Sequence, residues 1–441
     1  MIERPQTSKY RYTILAMLLY ATSVNYFDRS IIGVMAPTLQ KLFHWTNSDY
    51  ADIIISFQTA YAIGMLVMGG IIDRLGSRKG YSLSIGIWAF FGMLHAAVRP
   101  FFSVIGFSIA RFGLGFGESG NFPAAIKVVA EWFPKKDRAF ATGIFNASTS
   151  IGAIAAPFIV GAIVSVNGKN WQYPFLITGV LSSIWVIIWL RIYKKPEDHP
   201  RVSIKELQYI QSDKVEGVEE SSTKLPWKTL LPKRKTWVFA IAKITDAVWW
   251  FYLFWGAKFL AHRFGVNIKD IALPFFVLYI MADAGSILGG YLSKTFMNMG
   301  WNVNKARKIS MLICALVILP VILVAYTHNE WVAVFLIGLA AAGHQAWSAN
   351  VFTLASDLFP KKATASVVGI GGMVGSVASI IANFILGSAL DKAGNHGYFW
   401  AFLIAGSVYL IILGIIHLMD PKMVPLDENL KPVLLRKQHK H

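Results

Sequence analysis

The chain has 441 residues, of which 55% are hydrophobic and 15% charged, with 30 Phe, 16 Tyr and 15 Trp. A soluble globular protein carries nearer a quarter charged residues, so composition argues against that class and for one embedded in lipid. The net charge of +18 would suit nucleic acid only if gathered on one surface, whereas the Lys and Arg residues sit mostly in short loops between apolar runs.

The amino terminus, Met1 to Lys9, is short and polar, and no small-residue cleavage site follows the first apolar run. That run reads as a retained helix and not a signal peptide. A spanning helix needs about 20 mostly apolar residues. Twelve such runs follow one another, at roughly 11–37, 48–72, 80–98, 102–129, 139–166, 171–193, 236–262, 270–296, 308–327, 331–357, 363–391 and 397–419. The predicted fold is therefore an all-α membrane protein of twelve transmembrane helices. The single Cys314 lies inside an apolar run, which rules out an intrachain disulfide.

The first span holds Ser23-Val-Asn-Tyr-Phe-Asp-Arg-Ser30, with Asp28 and Arg29 side by side among apolar turns. One charged residue at a bilayer centre costs roughly 2.5–3.5 kcal/mol on translocon scales. The two read either as a mutually neutralising pair that locks packing or as groups kept for function. Neighbours lie about 100° apart on a helix, so one is expected to line a cavity and the other to face an adjacent helix.

The one long polar interval, Tyr193 to Lys235, divides the spans into two sets of six. The expected organisation is a six-helix half over 1–193, a linker over 194–235, a second half over 236–420 and a tail over 421–441. Ser203-Ile-Lys-Glu206 has capping-box spacing, which reads either as a short amphipathic surface helix or as a solvated linker. Shifting the chain by 226 positions lays Phe133-Pro-Lys-Lys136 on Phe359-Pro-Lys-Lys362, Gly143 on Gly369 and Ser150 on Ser376. Two pseudo-repeats related by an axis along the membrane normal are expected. Basic residues such as Arg74, Arg78, Lys79, Lys135, Lys136, Arg138, Lys361 and Lys362 then fall on one side. The positive-inside rule places both termini in the cytoplasm.

The loop after the second span reads Gly69-Gly-Ile-Ile-Asp73-Arg74-Leu-Gly76-Ser-Arg78-Lys79. It resembles the G-x-x-x-D-R-x-G-x-R-K signature of the major facilitator superfamily. The resemblance implies a gating role for Gly69, Asp73, Arg74, Gly76 and Arg78. Asp73 is suited to accept from a helix N-terminus or from an Arg on the other half. Asn25-Tyr-Phe-Asp-Arg29, Arg111-Phe-Gly-Leu-Gly-Phe-Gly-Glu118-Ser-Gly-Asn-Phe-Pro-Ala124 and Glu131-Trp-Phe-Pro134 are similar to the anion:cation symporter family. Thr245 to Trp255 and Gly343-His-Gln-Ala-Trp-Ser-Ala-Asn350 resemble its bacterial hexuronate branch.

Arg29 is the candidate anchor for a substrate carboxylate, because a guanidinium stays charged and offers a two-pronged fork. Tyr26, one turn away, and Tyr61 on the second span are suited to pack on a sugar ring while bonding its hydroxyls. Arg111 and Glu118, seven positions apart, share a helix face, with Gly113, Gly115, Gly117 and Gly120 permitting close approach. Arg111 reads either as a buried partner of Asp28 or Glu118 or as a functional cation. Glu118 and Asp28 are the candidate proton carriers, since a carboxyl group in low dielectric holds its proton until a nearby guanidinium favours release. The resemblance implies the same coupling pair.

In the seventh span Lys243, Asp246, Trp249 and Trp250 form either a local ion pair or one wall of a polar cavity, and the aromatic run to Trp255 is expected to be partly lipid-facing. Gln345, Trp347 and Ser348 on the tenth span, Asn146 and Ser150 on the fifth, and Asn383 on the eleventh complete the expected substrate pocket. His344 reads as a hydrogen-bonded packing residue or a titrating one. Gly371-x-x-x-Gly375 is read as internal packing in preference to a dimer face.

No phosphate loop, nucleophile–His–acid set or metal-ligand cluster is visible. Neither an enzyme nor a cofactor nor a metal is expected. The partners expected are a small anionic sugar acid, protons and membrane lipid, with no nucleic acid and a monomeric state. The resemblance implies a proton-coupled symporter importing galacturonate or glucuronate across a bacterial inner membrane. Alternatives are a symporter of galactonate, glucarate or another organic anion, and a membrane sensor that moves nothing.

Overall fold

Long apolar segments in lipid must satisfy their backbone N–H and C=O groups internally, and a helix does this within one segment. A computed structural model describes residues 8–212, 227–394, 396–427 and 429–432. Among them the helices are, in chain order, α1 (Tyr10–Phe43), α2 (Asn47–Leu94), α3 (Ser103–Glu118), α4 (Asn121–Trp132), α5 (Lys135–Ile163), α6 (Tyr173–Ile192), α7 (Ile204–Ile210), α8 (Trp227–Leu230), α9 (Arg234–Ala242), α10 (Asp246–Phe264), α11 (Ala272–Asn298), α12 (Val303–Ile318), α13 (Glu330–Leu358), α14 (Lys361–Ala393) and α15 (His396–Met419). The only β-bridge among the described residues is an isolated antiparallel one between Leu426 and Pro432.

Every expected span is helical. The fourth is α3 with α4, and the seventh runs from α9 through a 3-10 turn at Lys243–Thr245 into α10. Among the described residues, ten helical stretches are long and apolar enough to cross a membrane, and the one at Asn47–Ala97 spans 51 residues. A helix rises 1.5 Å per residue, so that stretch is about 75 Å long, twice what one crossing needs. It folds back at Gly76, where φ is 74° and ψ 164°. A Cβ on Gly80 would stand 2.8 Å from the Ile72 Cα, which places the two arms side by side. α1 falls short of the apolar requirement because Asn25, Asp28 and Arg29 interrupt it.

Gly76 is needed for its backbone, since an L side chain at that φ costs of order 1–3 kcal/mol. Gly76→Ala is expected to lower the melting temperature of the detergent-purified protein by several degrees, read by tryptophan fluorescence. An unchanged melting curve would refute the strained turn.

The chain resolves into two compact units. One comprises Met1–Glu220, Leu253–Phe276 and Asn383–Ala393, and the other Ser221–Tyr252, Val277–Ala382 and Gly394–His441. α10, α11 and α14 each contribute to both.

In the first unit α3 lies hard against α2. A Cβ on Gly113 would sit 2.2 Å from the Phe91 ring, one on Gly115 2.5 Å from the Phe57 carbonyl oxygen, and one on Gly117 2.6 Å from the Trp88 nitrogen. Small residues let membrane helices touch at the backbone, where van der Waals packing replaces the absent hydrophobic drive. α1 meets α5 in the same way through Gly152, whose Cβ would meet the Ser23 carbonyl oxygen at 2.0 Å.

α7 forms, and it docks instead of lying loose. Ser203 caps its start, and the buried Glu206 carboxylate accepts from the Tyr10 and Arg11 backbone nitrogens at 2.9 and 3.1 Å. A carboxylate on a helix N-terminus is favourable, so the linker is fastened to the start of α1. At the head of α2, the Asp391 carboxylate on α14 accepts from the Asn47 and Ser48 nitrogens at 2.8 and 2.9 Å. In the aromatic run Trp249–Trp255 of α10, Trp249 and Trp250 are half-buried, whereas Phe251 through Leu260 are all buried. Gly33 of α1 approaches the Leu253 carbonyl, and the Tyr50 hydroxyl donates to the Phe254 carbonyl at 2.6 Å, so neighbours close around this part of α10.

In the second unit the glycine face of α14 is occupied from within. Cβ atoms on Gly371 and Gly375 would meet the Phe239 ring at 2.3 Å and the Lys243 carbonyl oxygen at 2.8 Å. That face therefore packs inside the unit.

Candidate functional site

The first unit buries two acids and two arginines at mid-span, on α1 and α3. Arg29 is 3% exposed, and its Nε and Nη2 donate to Glu118 Oε2 at 3.0 and 2.8 Å. Its Cζ lies 4.8 Å from the ring centroids of both Tyr26 and Tyr61 and 5.4 Å from that of Phe57. The fork is thus satisfied by a carboxylate on one side and aromatic faces on the others. Tyr26 and Tyr61 are half-buried, whereas Phe57 is wholly enclosed.

The expectation that one of Asp28 and Arg29 would line an open cavity is not met. Both are buried, because Arg29 turns to Glu118 and Asp28 turns to α2, its carboxylate 3.7 Å from where a Gly92 Cβ would stand. Arg111 feels the Glu118 and Asp28 carboxylates through space, but no described residue hydrogen-bonds to any of its guanidinium nitrogens. Its Cζ instead stands 4.5 Å from the Phe57 ring centroid. Both Asp28 oxygens and Glu118 Oε1 also lack a hydrogen-bond partner among the described residues. A quartet of buried charges with this much unused bonding capacity is able to exchange partners without breaking a saturated network.

Phe57 was missed from sequence. It lies one turn before Tyr61, and that spacing was its only signal. Gln58, also missed, accepts from Asn383 at 3.2 Å, while Asn383 in turn accepts from Trp255 Nε1 at 2.6 Å. The structure therefore joins Asn383 to α2 and α10. Ser150 is half-buried on α5, and the Asn146 side chain lies outside the described ones.

The remaining expected pocket residues belong to the second unit. Gln345 and Ser348 are half-buried on α13, and Trp347 is fully buried, edge-on to Tyr409. His344 bonds the Tyr409 hydroxyl at 2.6 Å and stacks on Trp249 at 5.6 Å, the packing arrangement expected for it. Lys243 and Asp246 pair at 2.6 Å as neighbours one turn apart.

At the loop after the second span, Asp73 is held by Lys127 of α4 at 2.9 Å, not by a helix N-terminus or an arginine. Sequence reading overlooked Lys127. Arg78 donates to the Leu190 carbonyl, and Arg74 is exposed. Glu131 accepts from Ser77 at 2.9 Å, just beyond Gly76. A Cβ on Gly69 would meet nothing within 4 Å, so that position is open.

Apolar helices that bury ionised side chains at mid-span mark a multi-pass membrane protein with a functional site inside it, and the family it matches is one of transporters, not enzymes. The chain belongs to the Major Facilitator Superfamily, whose family model matches residues 18–383. It is 32% identical over 388 residues to the hexuronate transporter of Escherichia coli (strain K12), covering 87% of this chain and 88% of that protein. It is 32% identical over 313 residues to the galacturonate transporter of Dickeya chrysanthemi, covering 70% and 89%. To the probable galactarate/D-glucarate transporter GarP of Escherichia coli (strain K12) it is 29% identical over 429 residues, covering 93% and 96%. Among solved structures, a bacterial homolog to the human lysosomal transporter Spinster, inward-facing and occupied, aligns with a TM-score of 0.74 at 18% identity, covering 94% and 98%. A D-xylose-proton symporter aligns with a TM-score of 0.72 at 14% identity, covering 92% and 97%. These two share the fold.

Proposed function

We propose that the protein is a proton-coupled symporter that imports a hexuronate, galacturonate or glucuronate, by alternating access across a bacterial inner membrane, with both termini in the cytoplasm. The observation that carries this reading is the Arg29–Glu118 pair in its aromatic surround. A sugar carboxylate and the Glu118 carboxylate seek the same two N–H groups. A proton on Glu118 removes its charge, weakens its claim on Arg29 and lets the substrate take the fork. Asp28 serves as the second proton carrier and Arg111 as the fixed cation. Tyr26 and Tyr61, already on the Arg29 face, are placed to cover the sugar ring.

Proton coupling has an energetic reason. A monoanion moved inward against the membrane potential costs about 2.3 kcal/mol per 100 mV, and more than one proton per substrate reverses that sign. Gating falls to the Gly69–Arg78 loop, with Asp73 exchanging Lys127 for another partner as the carrier reorients. Labelled galacturonate is expected to accumulate in proteoliposomes under an inward proton gradient and to equilibrate when a protonophore is added. Uptake that ignores the gradient would defeat the reading.

A second reading keeps the mechanism and changes the cargo to an aldarate or aldonate. The similarity to probable galactarate/D-glucarate and L-galactonate transporters favours it. Competition for galacturonate uptake by a panel of sugar acids separates the two.

A further inference from the structure

Arg111 is wholly buried, yet none of its guanidinium nitrogens makes a hydrogen bond to a described residue. A guanidinium keeps its charge at any physiological pH, and a buried charge needs a counterpart. The Glu118 and Asp28 carboxylates act on it through space, and the Phe57 ring lies against it, its centroid 4.5 Å from Arg111 Cζ. The same ring lies 5.4 Å from Arg29 Cζ. Two like charges therefore share one aromatic side chain. An aromatic face carries the negative part of the ring quadrupole, and its attraction for a cation grows once water is excluded.

We infer that Phe57 is a positioning residue of the transport site, its ring holding Arg111 and Arg29 in fixed orientation so that only Arg29 is contested by Glu118 and substrate. This rests on the reading of Arg29 as the carboxylate anchor. The ring is itself held. Tyr61 stacks on it at 5.9 Å with 20° between planes, and Phe254 meets it edge-on at 6.4 Å and 73°. α3 closes the remaining side, since a Cβ on Gly115 would come within 3.0 Å of a ring carbon. An aliphatic side chain would fill much of this space. What it would lack is the negative face.

The test is a series of mono-, di- and trifluorinated phenylalanines placed at position 57, with Phe57→Leu and Phe57→Tyr beside them. Fluorine withdraws electron density from the ring face while changing its volume little. In the substrate-free protein the melting temperature should fall stepwise with fluorine count, and Phe57→Tyr should stay near the parent. Galacturonate affinity should fall along the same series, reaching about tenfold at trifluorophenylalanine. A purely steric role moves neither quantity, so a flat melting series overturns the inference even if Phe57→Leu fails to fold. A graded melting series in a protein that binds no galacturonate would leave Phe57 holding the arginines and would refute the cargo. A graded melting series with flat affinity in a protein that does bind galacturonate would overturn the positioning role.

Discussion

Arg29→Lys is expected to weaken galacturonate binding about a hundredfold while leaving the melting temperature within a few degrees of the parent. The guanidinium now makes two bonds to one Glu118 oxygen and lies against three rings. An ammonium group keeps the charge but not the planar fork or its stacking. Losing one charge-assisted hydrogen bond costs about 1.5–3 kcal/mol, and a weaker cation–π contact adds about 0.5–1 kcal/mol. At 1.4 kcal/mol per tenfold, the sum is about two orders of magnitude in affinity. Folding is spared because the lysine still neutralises Glu118, and a lone buried carboxylate would be the costlier state. Titration of purified protein with galacturonate by calorimetry reads the affinity directly. Parental affinity in the lysine variant would remove Arg29 from the site.

Glu118→Gln should separate exchange from accumulation. Glutamine has nearly the shape of a protonated glutamate and never ionises, so Arg29 loses its charged competitor permanently. Substrate binding in the variant should then lose the part of its pH dependence that Glu118 supplies. Exchange of internal for external galacturonate should continue, because both half-cycles remain open to the loaded carrier. Accumulation driven by a proton gradient should collapse by more than tenfold, since one proton site no longer turns over. The two assays use the same proteoliposomes, so misfolding cannot imitate the result: a misfolded carrier would fail at exchange as well. Normal accumulation by Glu118→Gln would shift the coupling role to Asp28, and Asp28→Asn would then be the variant to lose it.

Both predictions concern residues that were legible in the sequence, and the reason is energetic. Charges within apolar spans are costly, so Asp28, Arg29, Arg111 and Glu118 stand out from their surroundings before any fold is known. The aromatic neighbour of two of them did not stand out. Phe57 is an apolar residue in an apolar helix, and its role exists only once α2, α1 and α3 are packed together. Lys127 likewise went unnoticed in the sequence, because its partner Asp73 is brought to it only by the packing of α4 on α2. The seventh span shows the same limit from the other direction. Its aromatic periodicity suggested a partly lipid-facing run from Trp249 to Trp255; Trp249 and Trp250 are half-buried, but the burial of Phe251–Leu260 depends on helices far away in sequence.

The linear chain by itself determined the number of spans and which ionised groups had to be accounted for. These follow from local quantities, namely hydropathy over about 20 residues and the cost of a charge in lipid. The tertiary structure alone decided that Arg29 answers to Glu118 and not to adjacent Asp28, that Arg111 rests on a ring, and that α7 is fastened to α1 by Glu206. Each of those is a contact between groups separated by tens of positions or more, and hydrogen bonds and ring contacts form only where packing brings the atoms within reach.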